Sequence, residues 1–231
     1  MAVFDLDARI TEEDLSGINR RTRQPIFLYV EAESTAKTVQ LEQALTEFLK
    51  GIMQDPTLKT TADVEIAVFD GQTCLTVKPC GSVENAAFAS LSELYPTDGR
   101  GLALAPILQQ ALERIAAQKR TYQTNRISYG KPALLLFTAG NLTDTAEQLQ
   151  DVAARTLREA SVDILPVCQE AEHPLLKAIS PKGVVLQMPI EQAYTQVFLE
   201  IRNSMERLSK STAATYQELA TYLVDGAQYF Q

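Results

Sequence analysis

The chain has 231 residues, of which 21 are basic and 29 are acidic, so its formal net charge is −8. A chain of this length can bury about 70% of its extended surface, which argues against a mainly disordered protein. The excess of acidic side chains also argues against nucleic acid as a partner, because neutralising phosphates requires clustered Lys and Arg.

No apolar run approaches the roughly 20 residues that cross a bilayer, and Asp5, Asp7 and Arg9 stand near the start, where a secretory leader would be apolar. We therefore predict a cytoplasmic protein that does not contact a membrane. His173 is the only histidine, and the three cysteines form no Cys-x-x-Cys pair, so a zinc site is not expected. We interpret the cysteines as packing residues and His173 as a surface loop residue.

Short apolar runs alternate with long amphipathic segments along the chain. This alternation predicts an α/β fold with a doubly wound, mainly parallel sheet and helices on both of its faces. The main predicted strands are residues 26–30, 64–69, 133–137, 162–167 and 184–186. Apolar stripes at helical spacing predict helices over residues 41–52, 104–115, 149–160 and 190–208, with a shorter helix near 175–179.

Several residues predict where these elements begin and end. Asp55-Pro56 should stop the first helix, since proline disfavours helical geometry in the residue before it. Asp70-Gly71 is a strong hairpin signal, so we expect residues 74–77 to form one antiparallel edge strand. Asp144 and Glu147 have the spacing of a capping box at the start of the third long helix.

The last residues form a separate segment. Tyr216, Leu219 and Leu223 recur at helical spacing, which predicts a C-terminal amphipathic helical tail. This tail either folds back onto its own domain or docks onto a partner or a second copy of the chain. The predicted organisation is an N-terminal lead (1–22), one α/β domain (23–208) and the tail (209–231).

In an open doubly wound sheet, the binding crevice lies beyond the carboxyl ends of the strands, where the strand order reverses. The residues that matter are therefore those after Val30, those in the loop from Asp98 to Gly101, and those after Phe137. The segment after Val30 contains neither a Gly-x-Gly-x-x-Gly motif nor a phosphate-binding loop. A nucleotide site is thus not predicted.

The stretch from Arg20 to Thr35, with a basic lead, an apolar strand and Glu31-Ala-Glu-Ser-Thr35, resembles the start of a von Willebrand factor type A (VWA) domain. It is most similar to the small cytoplasmic bacterial members of the tellurite-resistance kind. Asp98-Gly-Arg-Gly101 and Leu136-Phe-Thr-Ala-Gly140 follow in the order that the family has. The resemblance covers roughly residues 20–205 and implies a Rossmann-like VWA fold.

VWA domains hold Mg²⁺ or Mn²⁺ through an Asp-x-Ser-x-Ser motif, a Thr and a second Asp at the strand ends. The resemblance matches these five positions to Glu31, Glu33, Thr35, Arg100 and Ala139. Arg100 has a permanent positive charge and no lone pair, so a divalent ion does not readily share its space.

Our hypothesis is that Arg100 stands where the ion would, tied to Glu31 or Glu33. The metal-ion-dependent adhesion site would then be degenerate, and no cofactor is expected. Two alternatives remain open at this point. Arg100 points to solvent, or Glu31 and Glu33 form a differently built cation site together with Asp98 or Asp144.

The resemblance implies a protein-interaction module that is not an enzyme, acting as an adaptor subunit of a bacterial stress-response or defence system. Its expected partners are other proteins, such as a kinase, a phosphatase or an ATPase of the same system. The predicted partner-binding residues are Glu31, Glu33, Thr35, Asp98, Arg100, Asn141, Tyr216, Leu219 and Leu223.

Two other classes of function remain open. The first is a metal-dependent ligand-binding or hydrolytic protein that holds Mg²⁺ or Mn²⁺ with Glu31, Glu33 and Thr35. The second is a self-assembling structural subunit, whose copies meet through the tail or through the edge strand of residues 74–77.

Overall fold

The computed structural model describes residues 22–70, 73–84, 91, 96–169, 172–188 and 194–210. The predictions for most of the N-terminal lead, for the hairpin turn at Gly71 and for the tail residues Tyr216, Leu219 and Leu223 lie outside these residues. Within them, no helix is both long enough and apolar enough to cross a membrane.

A six-stranded sheet forms the centre of the fold. Its strands are β1 (Gln24–Glu31), β2 (Ala62–Phe69), β3 (Cys74–Lys78), β4 (Ala133–Phe137), β5 (Asp163–Cys168) and β6 (Leu186–Gln187). The order across the sheet is β3-β2-β1-β4-β5-β6. β3 runs antiparallel to β2, and every other neighbouring pair is parallel. The predicted doubly wound, mainly parallel sheet with one antiparallel edge strand is thus confirmed.

Helices cover both faces of the sheet. They are α1 (Thr35–Gln54), α2 (Leu58–Thr61), α3 (Ala105–Thr124), α4 (Ala146–Ala160), α5 (Pro174–Ile179) and α6 (Tyr194–Lys210). Helices α1, α2 and α6 pack on one face, and α3, α4 and α5 pack on the other. The pleat of β1 serves both layers, because Leu28 and Val30 face the first layer while Phe27 and Tyr29 face the second.

The first helix begins and ends as its sequence predicts. Ser34 caps α1, since its hydroxyl accepts a hydrogen bond from the backbone N–H of Lys37 at 3.3 Å. The helix ends at Gln54, directly before the predicted stop at Asp55-Pro56. Ser34 therefore fixes the direction in which the chain leaves the end of β1.

The predicted capping box at Asp144 and Glu147 is wrong by one residue. Thr145 and Gln148 form the box that starts α4, through side-chain to backbone hydrogen bonds of 2.8 and 3.2 Å. Asp144 instead accepts from two backbone N–H groups at the start of α3, at 2.5 and 3.1 Å. Both pairs have the same spacing in sequence, so only this long-range contact of Asp144 distinguishes them.

All three cysteines are free thiols. Cys168 is buried at the end of β5, and Cys74 and Cys80 pack against the same α3-facing layer of the core. Burial, together with nearby acidic charges, raises the pKa of Cys80 to about 12. The interpretation of the cysteines as packing residues agrees with these positions.

Candidate functional site

The strand order reverses between β1 and β4, which lie next to each other at the centre of the sheet. Glu31 is the last residue of β1, and Thr138 follows the last residue of β4. The sheet therefore has its topological switch point beside these two residues, where ligands of open α/β sheets bind.

Glu31 is buried at this switch point, with 2% of its surface exposed. One carboxylate oxygen accepts from the hydroxyl of Thr97 at 2.8 Å. The other accepts from the hydroxyl of Thr138 at 2.7 Å and from the backbone N–H of Ala139 at 2.8 Å. Because these donors belong to two separate loops, the Glu31 side chain ties both loops to the end of β1.

The two loops also bind each other directly. We call residues 96–104 the pre-α3 loop and residues 138–145 the pre-α4 loop. The backbone N–H of Leu102 donates to Asn141 O at 2.8 Å, and the N–H of Thr143 donates to Leu102 O at 2.9 Å. With Asp144 bound to the start of α3, these contacts make the loop pair one interlocked unit.

The pre-α3 loop is further held against the chain that leaves β1. The backbone N–H of Thr97 donates to Ala32 O at 2.8 Å, and that of Asp98 donates to Glu33 O at 2.9 Å. Asp98 has φ 48°, a left-handed conformation that Asp and Asn adopt more readily than most other side chains. Asp98 is exposed and lies at the rim of the site.

Arg100 does not contact Glu31 or Glu33, so that part of our hypothesis is wrong. The residue is exposed, and its Nε and Nη2 donate to the backbone oxygens of Thr97 (3.1 Å) and Pro96 (3.3 Å) of its own loop. Thr97 supplies the hydrogen bond that we expected from Arg100, and it does so without placing a charge beside the buried carboxylate.

Glu33 lies apart from the Glu31 hydrogen bonds. It forms an ion pair with Lys37 one turn along α1, and the hydroxyl of Tyr194 donates to it at 3.4 Å. Burial, followed by the negative charge of Glu33, raises the pKa of Tyr194. Thr35 is the first residue of α1 and is exposed. The three residues of the possible cation site, Glu31, Glu33 and Thr35, therefore lie in three different environments.

These residues do not fit a divalent cation. Mg²⁺ needs about six oxygen ligands, several of them usually carboxylates and waters. Glu31 already accepts three hydrogen bonds, Ala139 has no side-chain oxygen, and Asp144 is engaged at the start of α3. Across the described ranges, no group of three or more His, Cys, Asp or Glu side chains is arranged to hold a metal. The alternative cation site of Glu31 and Glu33 with Asp98 or Asp144 gains no support from this arrangement and stays a prediction.

Sequence reasoning assigned no site role to Thr97, Thr138 or His173. Thr138 follows β4 directly, so the rule for switch points was a usable signal for it. Nothing in the sequence marks Thr97, since its partner lies 66 residues away. His173 is half-buried, and its Nε2 lies 2.9 Å from Gly140 O, a contact that the prediction of a surface loop residue did not include.

Several solved structures have a fold similar to that of this chain. One similar structure is a von Willebrand factor type A protein from Catenulispora acidiphila, with a TM-score of 0.54 and 14% identity over 79% of this chain and 42% of that one. Another is proximal thread matrix protein 1 from the mussel byssus, with a TM-score of 0.54 and 13% identity over 78% of this chain and 47% of that one.

At this level of identity the likeness shows the fold alone, and it confirms the VWA-type, Rossmann-like fold. This chain spans less than half the length of these two proteins. The sequence matches no family model and no curated protein.

Proposed function

We propose that this chain is a non-enzymatic protein-interaction module whose docking surface lies at the carboxyl edge of the sheet. The observation that carries the proposal is the set of three hydrogen bonds to Glu31, from Thr97, Thr138 and Ala139. They hold the two loops at the switch point together, which supports a surface that is preorganised by the protein itself.

The docking surface consists of the exposed residues Thr35, Asp98, Arg100 and Asn141. Two hydrogen bonds to its own loop fix the guanidinium of Arg100, while the outer part of the group faces solvent. Arginine is enriched among the residues that dominate binding energies at interfaces. A side chain that is already ordered loses less conformational entropy on binding, which favours a contact centred on Arg100.

The carboxylates nearest the switch point favour binding over catalysis. Glu31 accepts three hydrogen bonds, Glu33 is paired with Lys37, and Asp144 caps α3. A general base must reach a substrate proton directly or through one water molecule. Each of these three carboxylates already has protein donors, so the arrangement favours a structural role for them.

The sequence resemblance supplies the finer part of the proposal. On that basis the chain is a cytoplasmic adaptor subunit of a bacterial stress-response or defence system, with a degenerate metal site. Its partner would be a kinase, a phosphatase or an ATPase of that system. The step from fold to pathway is analogy, since one fold hosts many functions.

Affinity capture from the native cell tests the proposal. The test variant carries Asp98→Ala, Arg100→Ala and Asn141→Ala together. The matched control carries three alanines on the exposed outer face of α1, at Gln43, Glu47 and Lys50. We expect a partner that the parent chain and the control retain and that the test variant loses. Equal retention by both variants contradicts this docking surface.

A second candidate function is self-assembly through the edge strand. Among the strands that the structure describes, β3 pairs only with β2, and Leu75 in this strand is 37% exposed. Exposed edge strands can pair with a second chain. Mass measurement of the parent chain and of a Leu75→Lys variant tests this candidate, which predicts a dimer for the parent and a monomer for the variant.

A further inference from the structure

We infer that His173 is a positioning residue of the docking surface, because its imidazole holds the pre-α4 loop one residue beyond the backbone N–H that Glu31 holds. The inference deepens the proposed function and rests on it for its biological meaning. The contact itself joins Nε2 of His173 to the backbone oxygen of Gly140 at 2.9 Å. A carbonyl oxygen only accepts, so Nε2 carries the proton in this contact.

The loop is anchored at this point by side chains from different elements. The N–H of Ala139 donates to Glu31 of β1, and the N–H of Gly140 donates to the hydroxyl of Thr138 at 3.2 Å. The oxygen of Gly140 accepts from His173 at the start of α5. Successive peptide groups are therefore held by separate partners, directly before Asn141 of the docking surface.

Gly140 is suited to this position because the loop passes very close to the imidazole. Its φ is 91°, in the left-handed region. A Cβ at this residue would lie 3.1 Å from Sγ of Cys168 and 3.3 Å from Cδ2 of His173. The loop thus runs against the end of β5 and the His173 ring, and a larger residue would have to push both away.

The backbone of His173 is held in place at the start of α5. It is the N-cap of α5, directly before Pro174, and its backbone oxygen accepts from the N–H of Lys177 at 3.0 Å. The Gly140 oxygen also accepts from the N–H of Leu142 at 2.9 Å. Loss of the imidazole would therefore leave this oxygen with a donor, so we expect a change in loop position and only a small change in global stability.

Two variants separate positioning from packing. His173→Gln keeps an N–H donor at a similar reach, whereas His173→Leu keeps an apolar volume and removes the donor. We expect hydrogen exchange at the amides of Ala139 and Gly140 to be about two- to tenfold faster in the Leu variant, the range for losing one hydrogen bond. The Gln variant should exchange like the parent chain, and core amides should not change in either variant.

Equal exchange in the Gln and Leu variants overturns the inference, as does a change spread over the whole core. If the Leu variant does not fold, the ¹⁵N spectrum of the parent chain still tests the inference, because it reports which ring nitrogen of His173 carries the proton. His173 is the only histidine, so its signals are unambiguous. We expect the tautomer protonated at Nε2, and the Nδ1 tautomer overturns the inference. These measurements need no partner, so failure of the proposed function leaves them intact.

Discussion

Glu31 and Thr97 are 66 positions apart in the sequence and are joined by a hydrogen bond of 2.8 Å at the centre of the candidate site. The bond holds the pre-α3 loop against the end of β1. The hydroxyl of Thr138 donates to the other oxygen of the same carboxylate. The site is thus held by one buried acidic side chain and its donors.

Replacing Glu31 by Gln tests this relationship. The amide NH₂ would face either the Thr97 hydroxyl or the two donors on the β4 side, so at least one buried donor would lose its acceptor. We expect a loss of about 1–3 kcal/mol in the free energy of unfolding, measured by urea denaturation. Glu47→Gln, on the exposed face of α1, is the control and should change little. Equal effects of the two substitutions would contradict the structural role of Glu31.

Divalent ions should not stabilise the folded chain. A ligand that binds only the native state raises the midpoint of thermal unfolding, and the gain in stability grows with the logarithm of its concentration relative to its dissociation constant. Because the Glu31 carboxylate already accepts three hydrogen bonds, we expect no shift with millimolar Mg²⁺ or Mn²⁺ relative to a chelator. The controls are the same titrations of the Glu31→Gln variant. Saturable micromolar binding that this substitution abolishes would show a cation site at Glu31.

The sequence predicts the sheet well because its central strands are unbroken apolar runs. Residues 26–30 lie within the buried part of β1, and residues 133–137 are the whole of β4, which is buried throughout. The rule that ligands bind where strand order reverses also directs attention to Glu31 before any coordinates are known. The strands thus follow from hydrophobic patterning, which is a local and periodic signal. The location of the candidate site follows from the strand order that the pattern predicts.

The internal contacts of the site do not follow from the sequence. Thr97 and Arg100 belong to the same loop, and either is able to donate to a carboxylate. The structure selects Thr97, whose hydroxyl reaches the buried oxygen while Arg100 binds its own loop. The conformation of the loop decides which of two such neighbouring residues donates to the carboxylate. This conformation depends on contacts between distant segments, such as the hydrogen bond of Leu102 with Asn141.

Close packing of the two loops makes Gly101 sensitive to substitution. A Cβ at this residue would overlap the Cγ2 methyl group of Thr143, which is β-branched and has few alternative rotamers. We expect Gly101→Ala to lower the free energy of unfolding by about 1–3 kcal/mol in urea. Gly130→Ala is the control, because its Cβ would meet nothing closer than 3.7 Å.

A second substitution tests the cause of this effect. Thr143→Ser removes the methyl group and keeps the hydroxyl, so the double variant with Gly101→Ala should recover most of the lost stability. This recovery is a coupling free energy between contacting residues, as a double-mutant cycle measures it. Additive effects of the two substitutions would show that the methyl contact is not the source of the loss.

Removal of the predicted tail tests whether the domain depends on it. The described core already has helices on both faces of the sheet, and α6 packs on the α1 face up to the end of its described part. We expect a chain ending at Lys210 to keep the unfolding midpoint of the parent and the same number of subunits per particle, measured by light scattering. A dimer that disappears with the tail would instead support self-assembly through Tyr216, Leu219 and Leu223.

The half-buried thiol of Cys80 should make stability depend on pH. Burial, then the charges of Asp63 and Glu65, raises its pKa from the ordinary value of 9.0 to about 12 in the folded chain. Between these values the folded state keeps a proton that the unfolded state has lost, so stability falls as pH rises above about 9. Cys80→Ala removes this contribution. We therefore expect urea denaturation to give a larger loss of stability for the parent than for the variant between about pH 8 and pH 10.5. Equal losses would contradict a raised thiol pKa.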